Sequence, residues 1–281
     1  MRNPIALAGV MAAAASLSLG LGLVITRRLT APPGPRRFEL AIRAVEQDGD
    51  RRAIVLDRTH QTESPGEFTL LFRGGQWVQL SAEVLDRGPR RLAREVTATA
   101  PGFTPSADEP ASWSGIYFMT PVDAGLSAYD IAIPTPSGPA PAWRIGRSDS
   151  QSTRWAIHIH GLGSPRAGTL RGVQVTTELG YTSLVVSYRN DSEGPRRGTG
   201  RSTLGATEVD DVDAAIQYAI DQGARRVVLF GWSMGAQVAL QLAARPRYGR
   251  LIAGLVLESP VLDWVATIKA NCARAGLPAA A

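Results

Sequence analysis

The sequence predicts an α/β fold for the C-terminal part of the chain, with a parallel sheet covered by helices. From residue 128 onward, short apolar runs alternate with segments of helical periodicity. These apolar runs are continuous, which is typical of parallel strands buried on both faces. Upstream, residues 38–114 carry β-favouring runs separated by glycine-containing turns. We therefore expect a strand-rich N-terminal region ahead of a doubly wound domain over residues 115–281.

Each element of the predicted domain is bounded by turn residues. The predicted strands are residues 129–133, 140–145, 155–160, 181–188, 226–230 and 252–258, and the predicted helices are 170–179, 207–222 and 236–244. Thr207, with Asp210 three residues later, is close to a capping box and predicts a side-chain cap. Asp210, Asp211 and Asp213 lie away from the apolar face of that helix, so we expect them to be solvated.

Composition and charge exclude several classes of function. The chain has 281 residues, 44% of them hydrophobic, which is enough for a packed core. Its net charge is +5, but the arginines are scattered and not interleaved with aromatic residues, so we expect no nucleic-acid partner. Cys272 is the single cysteine, and the three histidines show no zinc-binding spacing. We predict neither a metal nor a cofactor.

The N-terminus predicts a membrane anchor. Residues 5–26 carry no charge, and about 20 apolar residues suffice for a spanning helix. Arg27 and Arg28 follow this run where a signal peptide would have small residues at a cleavage site, although a cleaved signal remains the alternative. We predict an anchor over residues 1–26 and a linker over 27–37. Four arginines follow this run, whereas only Arg2 precedes it. By the positive-inside rule this favours a cytoplasmic location for the part of the chain after the anchor.

Ser233 is the candidate nucleophile. It lies in Gly231-Trp232-Ser233-Met234-Gly235, between a buried strand and an amphipathic helix. A strained strand-to-helix turn would present its hydroxyl at the carboxyl end of the sheet, and Gly231 and Gly235 would leave room for neighbouring backbone. The helix N-terminus would offer free N–H groups to developing negative charge. We predict the Met234 amide as one donor to that charge.

A second loop predicts the other half of an oxyanion site. His160-Gly161-Leu162-Gly163 follows an earlier strand, and the Leu162 amide would be the second donor, with Gly161 and Gly163 as loop glycines. His160 could serve as a catalytic base, but we expect it to shape this loop from within. His158, on the same strand, is expected to be a core histidine.

With these two motifs in this order, residues Tyr129 to Trp264 resemble the α/β-hydrolase superfamily. The resemblance is greatest to its serine aminopeptidase-like and esterase-like branch, which includes membrane-anchored bacterial forms. Tyr188-Arg189-Asn190-Asp191 is also similar to a Tyr-Arg segment of that family. The resemblance implies a hydrolase that acts on a small-molecule ester, amide or thioester through an acyl-enzyme on Ser233.

The same resemblance implies that part of the site is missing. The family's catalytic residues run in the order serine, acid, histidine, and no histidine follows Ser233. Asp263 is the one local candidate for the acid. We therefore expect an incomplete α/β-hydrolase sheet, a C-terminally truncated chain and little or no turnover. Two other functions stay open, a membrane-tethered module that only binds and an acyltransferase.

Overall fold

The computed structural model describes residues 22–146 and 152–274. The chain divides into two compact units, Gly34–Leu126 on the one hand and Met1–Pro33 with Ser127–Ala281 on the other. The predicted strand-rich region, residues 38–114, lies within the first of these. We call them the N-terminal unit and the C-terminal unit.

The N-terminal unit is an antiparallel sheet of eight strands, in the order β1-β8-β4-β5-β7-β3-β2 with β6 on β7. Its strands are β1 Leu40–Ala41, β2 Ala44–Asp48, β3 Arg51–Asp57, β4 Phe68–Leu71, β5 Trp77–Leu80, β6 Leu85–Asp86, β7 Arg91–Thr99 and β8 Pro110–Ser114. A 3₁₀ turn, Arg73–Gly75, joins β4 to β5. The strand-rich expectation for this region is confirmed.

A buried arginine organises the loops of this unit. The Arg94 guanidinium is fully buried and donates to the carbonyl oxygens of Thr62, Gly66 and Ser81 at 2.9–3.1 Å. It also lies 5.5 Å from the ring centres of Phe68 and Trp113. A buried cation needs its donors satisfied, so these carbonyl groups stand in for water.

The C-terminal unit contains a mixed sheet whose described strands run in the order β14-β13-β11-β12-β10-β9. The strands are β9 Ala128–Thr135, β10 Gly138–Ile145, β11 Arg154–Ile159, β12 Thr182–Val186, β13 Arg226–Trp232 and β14 Ile252–Glu258. Strands β11 to β14 pair in parallel, whereas β9 and β10 form an antiparallel hairpin that continues onto β12. The predicted α/β fold is therefore confirmed, with an antiparallel edge added to the parallel strands.

Besides the helical residues 22–29, the C-terminal unit has four described helices: α1 Leu170–Glu178, α2 Glu208–Asp221, α3 Met234–Ala243 and α4 Trp264–Arg274. Short 3₁₀ turns lie at Arg166–Thr169 and Pro246–Tyr248. The main core forms where apolar residues of α2 and α3 pack on the central strands, with Val212, Ile216 and Val238 fully buried against Ile157 and Leu229. As expected for parallel strands, every residue of β12 is buried.

Two predictions about the start of α2 are wrong. Thr207 makes no side-chain cap; its hydroxyl lies 2.8 Å from that of Thr203 instead. Asp211 is buried rather than solvated, because the Arg189 guanidinium contacts it through two hydrogen bonds of 2.8 and 2.9 Å. Asp213 likewise accepts hydrogen bonds from Arg245 and from the Tyr248 hydroxyl.

The predicted membrane anchor, residues 5–26, lies mostly outside the described residues. Residues 22–29 are helical. The carbonyl oxygens of Arg27 and Thr30 accept hydrogen bonds from Arg201 and Ser202, which attaches this segment to the C-terminal unit. Of the helices described, none is long and apolar enough to cross a membrane.

Candidate active site

Ser233 forms a sharp turn between β13 and α3. Its backbone angles are φ 53° and ψ −113°, which a residue with a side chain adopts only under strain. The Ser233 amide donates to the Glu258 carbonyl at 2.8 Å, and its carbonyl accepts from the amides of Ala236 and Val261. The turn is thus held by the first turn of α3, by the last residue of β14 and by a residue that follows β14.

Gly231 and Gly235 have the close contacts expected of the turn. A Cβ at Gly235 would lie 2.1 Å from the Ile159 carbonyl oxygen and 2.6 Å from that of His160. At Gly231 it would lie 2.4 Å from Ala236 Cα. These neighbours are backbone atoms, which cannot rotate aside as a side chain could. A glycine is therefore required at both positions.

The His160–Gly163 loop lies beside the serine. A Cβ built on Gly161 would lie 3.2 Å from Ser233 Cβ and 3.8 Å from Ser233 Oγ. Gly163 has a φ of 70°, the left-handed conformation that lets the loop turn away after Leu162. The structure therefore brings the two sequence motifs together.

The two amides predicted as oxyanion donors make no hydrogen bond to the described residues. Leu162 follows β11 and is part of no helix, and Met234 is the first residue of α3. A first-turn amide has no acceptor within its own helix, and its N–H points out of the helix N-terminus. Ser233 Oγ, too, bonds to no other described group. All three groups are thus without a hydrogen-bond partner among the described residues.

His160 has both of its ring nitrogens occupied. Nε2 lies 2.9 Å from Asp191 Oδ2, and Nδ1 lies 3.0 Å from the Tyr188 hydroxyl and 2.9 Å from the Gly161 carbonyl oxygen. The ring is 1% exposed and stacks on Tyr188. A base must reach the proton it removes, and the hydrogen bonds of the His160 ring go to Asp191, Tyr188 and Gly161 rather than to Ser233 Oγ. This geometry agrees with the expectation that His160 shapes the loop from within.

His158 is a core histidine, as the sequence suggests. It is fully buried, with Nε2 3.3 Å from the hydroxyls of Ser183 and Thr176 and its ring packed on Phe230 and Trp232. Burial lowers the pKa of His158 to about 3. The folded protein therefore holds this imidazole in its neutral form.

Asp263 caps a helix. Its Oδ1 accepts hydrogen bonds from the amides of Val265, at 2.7 Å, and Ala266, at 3.1 Å, at the start of α4. This is the usual bonding of an aspartate at a helix N-cap. Its assignment as the catalytic acid stays a prediction that this bonding does not favour.

Two buried carboxylates near the site were not singled out by the sequence reasoning. Asp191 contacts His160, and Glu208 accepts hydrogen bonds from the Ser202 hydroxyl at 2.6 Å and from the amides of Thr203 and Gly205. The Ser202 hydroxyl in turn lies 3.7 Å from Met234 Sδ. Asp191 therefore supports the His160–Gly163 loop, and Glu208 supports the loop that contacts the start of α3.

No three described His, Cys, Asp or Glu side chains converge where a metal ion could be held. The groups that the sequence motifs supply here are the Ser233 hydroxyl and the Leu162 and Met234 amides, none of which bonds to a described residue. Such an arrangement suits attack on an acyl carbon and stabilisation of the oxyanion that forms.

Comparison with known families assigns two regions. Residues 156–281 match the model of the Alpha/beta hydrolase family. Residues 41–114 match a Domain of unknown function (DUF8805). A search of curated proteins found no significant match.

Comparison with solved structures gives partial matches to several esterases. An esterase of Pyrococcus furiosus, Pf2001, is 24% identical over 57% of this chain and 60% of its own, with a TM-score of 0.47. A bacterial heroin esterase is 23% identical over 52% and 49%, with a TM-score of 0.42. An Exiguobacterium antarcticum esterase is 19% identical over 48% and 46%, with a TM-score of 0.39. The chain thus spans about half to three fifths of these structures.

The close packing at Gly235 predicts a large cost for one added methyl group. We expect Gly235→Ala to destabilise the protein by about 3 kcal/mol, because the Cβ meets two backbone carbonyls. This corresponds to a fall of roughly 6–12 °C in the thermal midpoint measured by circular dichroism. Gly254→Ala on β14 is the control, since no heavy atom lies within 4 Å of its Cβ position. Equal midpoints for the two variants would contradict the packing argument.

Burial of His158 predicts a pH dependence of stability. Its pKa is about 3 when folded and about 6.5 when unfolded, so below pH 6.5 only the unfolded chain takes up the proton. The contribution of His158 to the free energy of unfolding is fully present above pH 6.5 and is lost as the pH falls towards 3. The free energy of unfolding should decrease by about 2 kcal/mol between pH 7 and pH 5. Urea unfolding of His158→Gln should lack this loss, whereas exposed His60→Gln should keep it. If the free energy of unfolding depended on pH in the same way in both variants, the prediction would be wrong.

Proposed function

We propose that the chain is a serine hydrolase with Ser233 as its nucleophile, a proposal supported by the match of residues 156–281 to the model of the Alpha/beta hydrolase family. The observation that carries the proposal is the strained turn at Ser233, whose hydroxyl bonds to no described residue and against which the loop glycine Gly161 packs. The substrate class is an ester, amide or thioester of a small molecule. No cofactor takes part in the proposed reaction.

The proposed mechanism follows from these groups. Ser233 Oγ attacks the acyl carbon, and the carbonyl π electrons move onto the oxygen, which the Leu162 and Met234 amides stabilise as an oxyanion. The Ser233 proton passes to a base in solution; collapse of the intermediate then breaks the bond to the alcohol, amine or thiol, which takes up a proton from solution and leaves an acyl group on Ser233. Water then attacks the acyl-enzyme and releases the acid.

The serine proton needs an acceptor, and no described residue bonds to Ser233 Oγ. His160 is held by Asp191 and Tyr188, His158 is buried in the core, and no histidine follows Ser233 in the sequence. We therefore propose low turnover for this 281-residue chain. Loss of a triad member commonly leaves only about 10³–10⁴-fold rate enhancement over water.

A non-catalytic binding module is the second candidate. The observation that favours it is the same unpartnered Ser233 hydroxyl, because a site that only binds an acyl group needs oxyanion donors but no base. The two functions differ in whether Ser233 Oγ forms a covalent bond to the bound acyl group.

The serine nucleophile predicts chemical rescue by an added base. Imidazole in the buffer should accept the Ser233 proton and accelerate p-nitrophenyl acetate hydrolysis by the chain, about tenfold or more above the Ser233→Ala variant. Release of p-nitrophenol measures the rate, and mass spectrometry measures acetylation of Ser233. Ser106→Ala, which removes an exposed hydroxyl in the N-terminal unit, is the control.

Two outcomes would count against these proposals. Equal rates for the chain and Ser233→Ala in imidazole, with no acetylation, would leave the binding module as the better account. Fast hydrolysis without imidazole that Ser233→Ala abolishes would disprove low turnover, while it would support the nucleophile.

Attachment to a membrane through residues 5–26 is a separate proposal. It is supported by an uncharged run of spanning length that ends at Arg27 and Arg28. The proposed orientation, with the body on the cytoplasmic side, rests on the excess of arginine after the run.

Carbonate extraction tests this attachment. We expect the 281-residue chain to stay in the membrane pellet at high pH, because apolar burial in the bilayer does not depend on ionic contacts. A variant that lacks residues 5–21 should move to the supernatant. Protein in the supernatant that begins after residue 26 would show cleavage of a signal peptide instead.

A further inference from the structure

The peptide group between Gly161 and Leu162 is fixed through its carbonyl end. The bond is trans and planar, so the Gly161 carbonyl and the Leu162 N–H point in opposite directions from one rigid plane. The Gly161 oxygen accepts hydrogen bonds from the Tyr188 hydroxyl and the Ser164 amide, each at 3.2 Å, and His160 Nδ1 lies 2.9 Å from it. Whatever holds this oxygen therefore sets the direction of the Leu162 N–H.

The Tyr188 side chain is itself held in a buried position. Its ring stacks on His160 with 4.2 Å between centroids, and its hydroxyl lies 3.0 Å from both the His160 carbonyl oxygen and Nδ1. Burial, followed by the nearby carboxylates of Asp191 and Glu208, raises the pKa of Tyr188 well above 10. The hydroxyl therefore keeps its proton and acts as a donor to this loop.

Asp191 fixes the histidine behind the tyrosine. Oδ2 accepts from His160 Nε2 and from the Tyr188 amide, and Oδ1 accepts from the amides of Glu193 and Gly194, all at 2.6–2.9 Å. Burial alone raises the pKa of Asp191, but the His160 contact and these amide bonds outweigh it and lower the pKa below its usual value. The carboxylate holds the proton of His160 on Nε2, so Nδ1 carries none. The Tyr188 hydroxyl is then the one donor that Nδ1 and the carbonyl oxygens of His160 and Gly161 share.

The geometry points to Tyr188 as a positioning residue for the oxyanion site. Its hydroxyl holds the Gly161 carbonyl and thereby aims the Leu162 N–H, while His160 and Asp191 hold Tyr188. This inference rests on the proposed function, because it needs Ser233 and the Leu162 amide to share one reacting group. The closeness of Gly161 to Ser233, 3.2 Å from a built Cβ to Ser233 Cβ, supports that arrangement.

A boronic acid tests the inference without requiring a catalytic base. Ser233 Oγ bonds to the boron of phenylboronic acid and loses its proton to the buffer, which gives a tetrahedral adduct with one negative charge. One boron-bound oxygen then takes the oxyanion position. The ¹¹B resonance distinguishes this adduct from free trigonal acid, and its intensity gives the dissociation constant.

Tyr188→Phe removes the hydroxyl and keeps the ring that stacks on His160. We expect it to raise the dissociation constant of phenylboronic acid about tenfold, because a misdirected amide loses much of its stabilisation of the oxyanion. Tyr181→Phe is the matched control, since the Tyr181 hydroxyl bonds to no described residue. Thermal midpoints of both variants establish that they are folded.

The outcomes separate this inference from the proposed function. If the unaltered chain forms no tetrahedral adduct, or Ser233→Ala forms one equally well, both the function and the inference fail. If the chain binds and folded Tyr188→Phe binds within about twofold of it, the positioning role fails and the function stands.

A second measurement covers a Tyr188→Phe variant that does not fold. In the unaltered chain, the His160 Nε2 proton bonded to Asp191 should give a downfield resonance, which His160→Gln removes. Adduct formation at Ser233 should shift this resonance, because the loop and the tyrosine connect them. A resonance that stays unmoved by a saturating boronic acid would overturn the inference.

Discussion

The turn at Ser233 has a backbone conformation that serine does not adopt by itself, and its neighbours in the C-terminal unit hold it there. A side chain at φ 53° costs of order 1–3 kcal/mol, so the strain persists only where surrounding contacts fix it. Strand β13 lies between β11 and β14, and Gly235 lies directly against the carbonyls of Ile159 and His160. The contact that confines the turn therefore also places the His160–Gly163 loop, because His160 begins that loop. The proposed nucleophile and the proposed oxyanion donors thus depend on one packing arrangement rather than two.

Buried carboxylates organise the loops around this arrangement. Asp191 and Glu208 each accept at least two backbone amides, and Asp211 accepts the Arg189 amide and guanidinium. A buried carboxylate is costly unless its oxygens are bonded, so each one restricts its loop to conformations that supply donors. The backbone amides of these loops therefore donate to side-chain carboxylates, because the loops lack the regular hydrogen bonds of a strand or helix.

The sequence was informative where periodicity or a motif reflects a local requirement. The continuous apolar runs of β12 and β13 predicted buried parallel strands, and the glycines around Ser233 predicted a turn with backbone on both sides. It was misleading at Asp211, because its partner, Arg189, lies 22 residues away and only the folded chain joins them. The role of Asp191 was hidden for the same reason. The Tyr188–Asp191 segment resembles a segment of the family in sequence. Its bonds to His160, however, depend on the pairing of β11 with β12, which the sequence does not display.

The packing of Gly235 on β11 has a consequence for how the protein folds. Strand β11 precedes β13 by about seventy positions in the chain, so this contact closes a long loop, and such contacts form slowly. The strained turn cannot be held until both strands are in place, since an isolated strand-turn-helix segment would relax to ordinary angles. Formation of a covalent adduct at Ser233 depends on this turn. The amount of adduct would thus measure the fraction of chains in which the central sheet is complete. Refolding could be timed by the return of chemical reactivity at one side chain, independently of any spectroscopic measure of secondary structure.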